Sequence, residues 1–208
     1  MTQPVAELLF GLARLYETEP RPGGKEAAQA LTGCAEKLRA QPALPEAPAD
    51  PFAGFATACA GLLAETFLPI IPLINAALPA IRWVFAGLDD GRIRPEIARR
   101  MLTAELIGPD GLVFHPGVRV GLFMQDAGLD YVTRSHAAEE CFVMLSGEGF
   151  WSTHDLPATA CSAGEVIFHP SMTPHRSETR ARPLLAAWRW SGDIGWDSYA
   201  LKDDGQRV

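Results

Sequence analysis

All five histidines of this 208-residue chain, His115, His136, His154, His169 and His175, fall in its second half. Imidazole is the side chain best suited to move protons or hold a transition metal near neutral pH. Two stretches gather these histidines with acids and turn residues. The first runs from Gly128 through Tyr131, Arg134, His136, Glu139 and Glu140 to Gly147, and the second from Gly164 through His169 and Pro170 to His175. On a strand, alternate residues share a face, so positions 134 and 136 point the same way and Tyr131 points opposite unless the backbone bends. Glu140 opens the next apolar run and can meet His136, and His175 follows a proline-shaped turn. Two imidazoles and one carboxylate, His136, His175 and Glu140, suit a divalent ion (Zn, Fe, Mn, Ni or Co) and leave positions open for substrate. The alternative is that His136 and Glu140 are a polar pair with no ion. A guanidinium cannot ligate, so Arg134 must turn away from a neighbouring cation, pair with Glu139 or Glu140, or clamp a substrate carboxylate. His115, His154 and His169 are assigned structural or surface roles; of the three, only His169 lies inside one of these stretches.

The elements that must position these residues divide the chain in two. Val5 to Tyr16 carries a helical stripe of Leu8, Leu9, Leu12 and Leu15, which Arg21 to Gly24 is expected to stop. Lys25 to Arg39 is Ala-rich and amphipathic, and a Pro/Ala loop follows from Gln41 to Pro51. A more apolar helical block is expected from Phe52 to about Leu88, broken where Phe67 to Ile81 holds Pro69, Pro72, Asn75 and Pro79. Pro95 to Leu106 reads as another short helix with proline in its first turn. After the turn signal Gly108 to Gly111, short Val-, Phe-, Leu- and Trp-rich runs alternate with Gly, Pro and Asp. They are Val118–Met124, Glu140–Leu145, Gly149–Thr153, Glu165–Phe168 and Leu184–Trp190. Spacing of this kind suits a small antiparallel sandwich or barrel. In the last run Leu184, Ala186, Trp188 and Trp190 share one face. The expectation is a helical region over 1–105 followed by a β-barrel over 106–208. One role open to the helical region is to cap the barrel mouth.

Composition narrows the function classes. Apolar residues make up 48% and charged residues 21%, which excludes disorder for most of the chain and fits one domain, or one with a helical extension. The formal net charge is −7, with a pI near 5.2, which argues against nucleic-acid or anionic-membrane partners. The apolar stretch 67–81 is too short to span a bilayer. The N-terminus has no basic region of a secretory signal. Four cysteines without short metal-type spacing suit a reduced compartment, so a cytoplasmic location is expected.

The two histidine-bearing stretches resemble the two signature motifs of the cupin superfamily, G-x5-H-x-H-x3-E-x6-G and a second with core G-x5-P-x4-H. Arg134 stands at the first histidine of the first motif, and Met172 and Thr179 stand where the fuller second motif has glycine and asparagine. The resemblance implies a mainly β fold with α, a C-terminal cupin β-barrel (jelly roll) behind the helical region, and a possible homodimer.

A narrower likeness covers about residues 95–200. The run from Glu105 to Leu112, with Gly121–Phe123, Tyr131, His136–Glu140, Leu145–Gly147, His169–Ser171, Pro174–His175, Pro183–Ala186 and Trp188–Asp193, is similar to cupin-type dimethylsulfoniopropionate (DMSP) lyases. That family cleaves its small-molecule substrate to dimethyl sulfide and acrylate by β-elimination. Carried over, His136, Glu140 and His175 would be metal ligands and Tyr131 the general base. Phe142 stands where these lyases usually carry a second tyrosine proposed as base, so Tyr131 would serve alone or else be a tyrosine packed at a strand end. Trp151, Trp188 and Trp190 are either barrel core or an aromatic wall for the sulfonium, with Arg134 as carboxylate clamp. Two other activities remain open: a non-haem metal dioxygenase, and a non-catalytic cupin that binds a small ligand.

Overall fold

The computed structural model describes residues 2–40, 53–66, 68–85 and 92–202. The expected loop from Gln41 to Pro51 and both ends of the expected helical block 52–88 lie outside them. Helix α1 (Thr2–Glu17) buries its leucine stripe against α2 (Pro22–Arg39), which turns Ala27, Ala28, Leu31, Cys34, Ala35 and Leu38 inward. Pro22 to Gly24, expected to end a helix, instead forms the first turn of α2, where a missing N–H costs nothing. The break between the helices is Thr18 to Arg21.

The expected block splits into α3 (Ala53–Ala64) and α4 (Ile71–Ala77), then a single 3-10 turn over Leu78–Ala80 and a two-residue strand, β1 (Val84–Phe85). Prolines are the cause, since each removes a helix hydrogen bond. The helix expected over 95–106 ends early. Pro95–Ala98 is α5, and Met101–Gly108 is strand β2, which crosses the expected boundary at 105. Its burial alternates, Leu102, Ala104 and Leu106 packing with the helices and Met101 on the other side. A period of two overrides the helical reading.

The strands that follow are β3 (Val113–Phe114), β4 (Arg119–Gln125), β5 (Asp130–Ser135), β6 (Ala138–Thr153), β7 (Thr159–Ser162), β8 (Val166–His169), β9 (His175–Glu178), β10 (Leu184–Gly192) and β11 (Ala200–Leu201). They form one curled sheet in the order β1-β2-β4-β10-β6-β9-β5-β11, with β3 beside β2 and β7 and β8 beside β6. The expected curled antiparallel β half-barrel is therefore present, behind its helical region. The runs 140–145 and 149–153 are one continuous strand, β6, which bends through Gly147 at a positive φ of 78°. A side chain there would strike the Pro183 carbonyl, so only glycine fits. The first half of β6 pairs with β10 and β8, and the second with β7 and β9.

The sheet has two cores. On one face Leu185 and Ala187 of β10 join Cys141, Val143 and the helices; on the other, Ala186, Trp188 and Trp190 join Phe123, Phe142 and Tyr131. Helices α1 to α4 thus pack on one face of the sheet, whereas Ile97 and Ala98 of α5 join the core on the other, and no described helical residue lines the cleft. Arg189, fully buried on the helical face, is held by Glu19 at 2.6 and 2.7 Å. Gly23 touches this pair so closely that a Cβ would lie 2.5 Å from the guanidinium. No described helix is long and apolar enough to cross a membrane.

The buried ion pair yields a test. Glu19→Ala leaves Arg189 charged and unpaired inside the protein, and should cost about 3–5 kcal/mol of stability. Urea denaturation of the two chains measures it. A loss within the scatter of a surface substitution would show that the pair does not fasten helices to sheet.

Candidate metal centre and cleft

Glu140 sits near the start of β6, directly across from Trp190 on β10 and from His169 on β8. In-register neighbours on antiparallel strands place their side chains side by side on one face. Both neighbours donate to the carboxylate, Trp190 Nε1 to Oε1 at 2.7 Å and His169 Nδ1 to Oε2 at 3.0 Å. His136 follows β5, and His175 opens β9. Their Nε2 atoms lie 3.7 and 3.0 Å from Glu140 Oε2. Each Nδ1 is fixed by a backbone carbonyl, Ala138 O at 3.0 Å for His136 and Thr173 O at 2.8 Å for His175. A carbonyl only accepts, so Nδ1 carries the proton and Nε2 presents a bare lone pair.

These two Nε2 atoms are buried and make no hydrogen bond. One ligand atom from each of His136, Glu140 and His175 lies within 4.8 Å of the other two. Donors bound to one transition-metal ion at about 2.0–2.2 Å stand roughly 3–3.5 Å apart, so the set fits a divalent ion with little movement. The protonation states fit as well. Burial, with the nearby charge of Arg134, pushes His175 down to about 3, so it is neutral as a ligand must be. Burial alone would raise the Glu140 carboxyl, but His136, His169 and His175 together hold it well below the usual carboxylate range. The ion's identity does not follow from this donor set, which several metals share.

Arg134 neither turns away nor pairs with Glu139 or Glu140. It is buried, its two terminal nitrogens lack hydrogen-bond partners, and its guanidinium lies 3.9 Å over the Tyr131 ring. On an ideal strand these two residues would face apart. A register shift on β5 between Tyr131 and Arg134 supplies the bend, and both line one cleft. The cleft, a cavity of about 40 Å³, is also lined by Thr103, Phe123, Glu140, Phe142, Trp188, Trp190, Trp196 and Tyr199. Phe142 therefore brings a ring but no hydroxyl. Of the three expected tryptophans, Trp188 and Trp190 line the cleft, whereas Trp151 stacks behind Phe142 at 4.6 Å and is absent from the lining.

Three site residues escaped the sequence reading. His169, assigned a structural or surface role, holds Glu140 and stacks on His175 at 4.0 Å. Its position in the second stretch, just before Pro170, was the available signal. Trp196 and Tyr199 come from the segment after β10, where nothing in the sequence marks them. His115 and His154 do keep to structural and surface places: His115 Nδ1 accepts from the amides of Gly117 and Val118, and His154 is exposed at a positive φ of 53°.

Comparison with known proteins agrees with this geometry. A family model described as dimethylsulfoniopropionate lyase matches residues 55–186, more than half of the chain. The dimethylsulfoniopropionate lyase DddQ of Ruegeria pomeroyi is 31% identical over 103 residues. That match spans about half of each protein, 50% of this chain and 51% of the relative. The crystal structure of DMSP lyase DddQ from R. pomeroyi superposes with a TM-score of 0.67 at 25% identity, covering 96% of both chains. A chain from the crystal structures of the DMSP lyases RdDddP and RnDddQII gives the same TM-score at 22% identity, covering 97% of this chain and all of that one. At that identity the likeness speaks for the fold alone.

Equilibrium dialysis against Zn(II) or Co(II), followed by elemental analysis, tests the centre. His136→Ala, Glu140→Gln and His175→Ala should each abolish stoichiometric binding. His169→Ala should keep it but weaken it about 10- to 100-fold, as expected when a partner that orients a ligand is lost. Equal retention by all four variants would remove the metal centre.

Proposed function

The chain belongs to the dimethylsulfoniopropionate lyase family, and we propose that it cleaves that substrate to dimethyl sulfide and acrylate. The observation that carries this reading is the composition of the cleft: an unpaired, buried guanidinium faces the same space as Glu140, one of the three candidate ligands, and a wall of aromatic rings. The substrate is a zwitterion with a carboxylate at one end and a sulfonium at the other. A guanidinium matches the first group and aromatic faces match the second, at about 0.5–2 kcal/mol per ring contact.

In this reading His136, Glu140 and His175 hold a divalent ion, one of Zn, Fe, Mn, Ni or Co. When bound, such an ion supplies Lewis acidity that withdraws electron density from the substrate carboxylate and acidifies its α-proton. Arg134 clamps the carboxylate, and Trp188 and Trp190 face the sulfonium. Tyr131, ionised as a phenolate beside the Arg134 guanidinium, takes the α-proton on Oη and becomes a neutral phenol; the C–H electron pair becomes the new double bond, and the Cβ–S pair leaves with sulfur as a neutral thioether. The aromatic wall keeps water from the reacting carbons. Trp190 serves twice, since its indole N–H also fixes Glu140.

Headspace dimethyl sulfide from the metal-loaded protein tests the proposal. Release should be abolished in His136→Ala and should fall about 10²- to 10⁴-fold in Tyr131→Phe, the usual contribution of a positioned base. Arg134→Met should act chiefly on KM, raising it about 10- to 100-fold, the worth of a charge-assisted clamp. If the unaltered chain releases no more than the His136→Ala control, the lyase reading fails and the cleft is a binding site for another small ligand.

A further inference from the structure

The cleft contains two phenols, and the second is Tyr199. Its hydroxyl lies 2.5 Å from that of Tyr131. Its ring stacks on His136, centroids 5.6 Å apart and planes within 12°, and it lines the cleft beside Trp190 and Trp196. The backbone fixes this position from both sides of His136. Ser198 Oγ accepts the Ala137 amide at 2.8 Å, and the residue after Tyr199, Ala200, pairs with Ser135. Further back, Arg119 Nε donates to the Ile194 carbonyl at 3.1 Å and its guanidinium lies 5.3 Å over the Trp196 ring. Arg119 is itself held by Glu105 and Asp110 at 2.7 Å each. The segment 193–201 is thus a strap tied down at several points along its length, with Tyr199 delivered to the one described phenol it can reach.

We infer that Tyr199 is a positioning residue for Tyr131. A phenol oxygen at a strand bulge would otherwise swing with its ring's own torsions. Either hydroxyl could donate in a neutral pair; with Tyr131 as the phenolate base, Tyr199 donates at 2.5 Å, removes that freedom and leaves a further lone pair of Tyr131 Oη to meet the α-proton. When the substrate proton moves to Tyr131 Oη and the C–S bond breaks, Tyr199 keeps its own proton throughout; it orients the acceptor and does not itself touch the substrate. This role rests on the lyase reading proposed above.

Steady-state kinetics of the metal-loaded full chain tests it, with Tyr199→Phe, Tyr131→Phe and the double variant. Tyr199→Phe should lower kcat about 10- to 100-fold while KM, metal content and melting temperature stay at the unaltered values. In the Tyr131→Phe background, adding Tyr199→Phe should change the residual rate no further, because Tyr199 acts only through Tyr131. Full kcat in Tyr199→Phe overturns this role and leaves the lyase reading standing. So do loss of metal or of fold in step with kcat, and a multiplicative fall in the double variant. If the unaltered chain releases no dimethyl sulfide, both fall together.

Discussion

The site depends on how one buried carboxylate is satisfied. A charged carboxyl group taken out of water costs several kcal/mol unless its oxygens are paired. Glu140 is almost inaccessible, yet Trp190 donates to one oxygen and His169 to the other, beside which the bare Nε2 atoms of His136 and His175 also stand. These partners come from β10, β8, β9 and the end of β5, so the same group that would ligate a metal also joins four separate pieces of the barrel. A one-residue slip of β6 against β10 would turn Glu140 toward the helices and the apolar residues of that face toward the cleft. Register and site are therefore specified by one set of contacts, and the apolar alternation of β10 and the polarity of Glu140 reinforce each other.

Two backbone features then set a cleft beside the candidate ligand set. The bulge in β5 brings Tyr131 round to the face of Arg134, which a regular strand forbids. The strap after β10 brings Trp196 and Tyr199 over the same space. Both features also add buried residues to the core, Tyr131 and Val132 from the bulge and Ile194 and Leu201 from the strap, whereas the helices contribute no described residue to the cleft. The helical half instead stabilises the sheet from behind: α1 and α2 cover the outer face, with Arg189 and Glu19 as the polar fastening between them. Changes in that half should thus reach activity through stability and not through the chemistry.

How much of this was legible in the sequence follows from the range of the interactions. The barrel runs, the nearness of His136 to Glu140 and the shared face of Ala186, Trp188 and Trp190 are set by period-two alternation and by spacing within one or two strands, so they could be read directly, whereas His175, on β9, was joined to them only through the likeness of the second stretch to a known motif. The helix expected over 95–106 misled because Pro95 does start a helix, but one four residues long; the strand beyond it is decided by pairing with β4. His169 became a site residue only through its register opposite Glu140, 29 positions away in the chain. Tyr199 meets a partner 68 positions away. No local pattern encodes such a meeting, and the bulge that lets Tyr131 take part leaves no mark in residue type either.

Arg134 is the point where fold and chemistry pull hardest against each other. A cupin-type barrel that replaces a ligand histidine with a permanent cation places like charge beside the proposed ion, a repulsion that Glu140 alone does not cancel. The guanidinium is eased by lying over the Tyr131 ring, a contact of about 0.5–2 kcal/mol that does not use its N–H groups. What remains is a buried site with an excess of positive charge, its two terminal nitrogens unpartnered. Such a site is best satisfied by an anion, and a substrate carboxylate between Arg134 and the His/Glu set would relieve both cations at once. In the proposed reading, Arg134 in place of a ligand histidine would exchange one metal bond for a stronger demand for a carboxylate, and a bound carboxylate substrate would complete the electrostatics of the site.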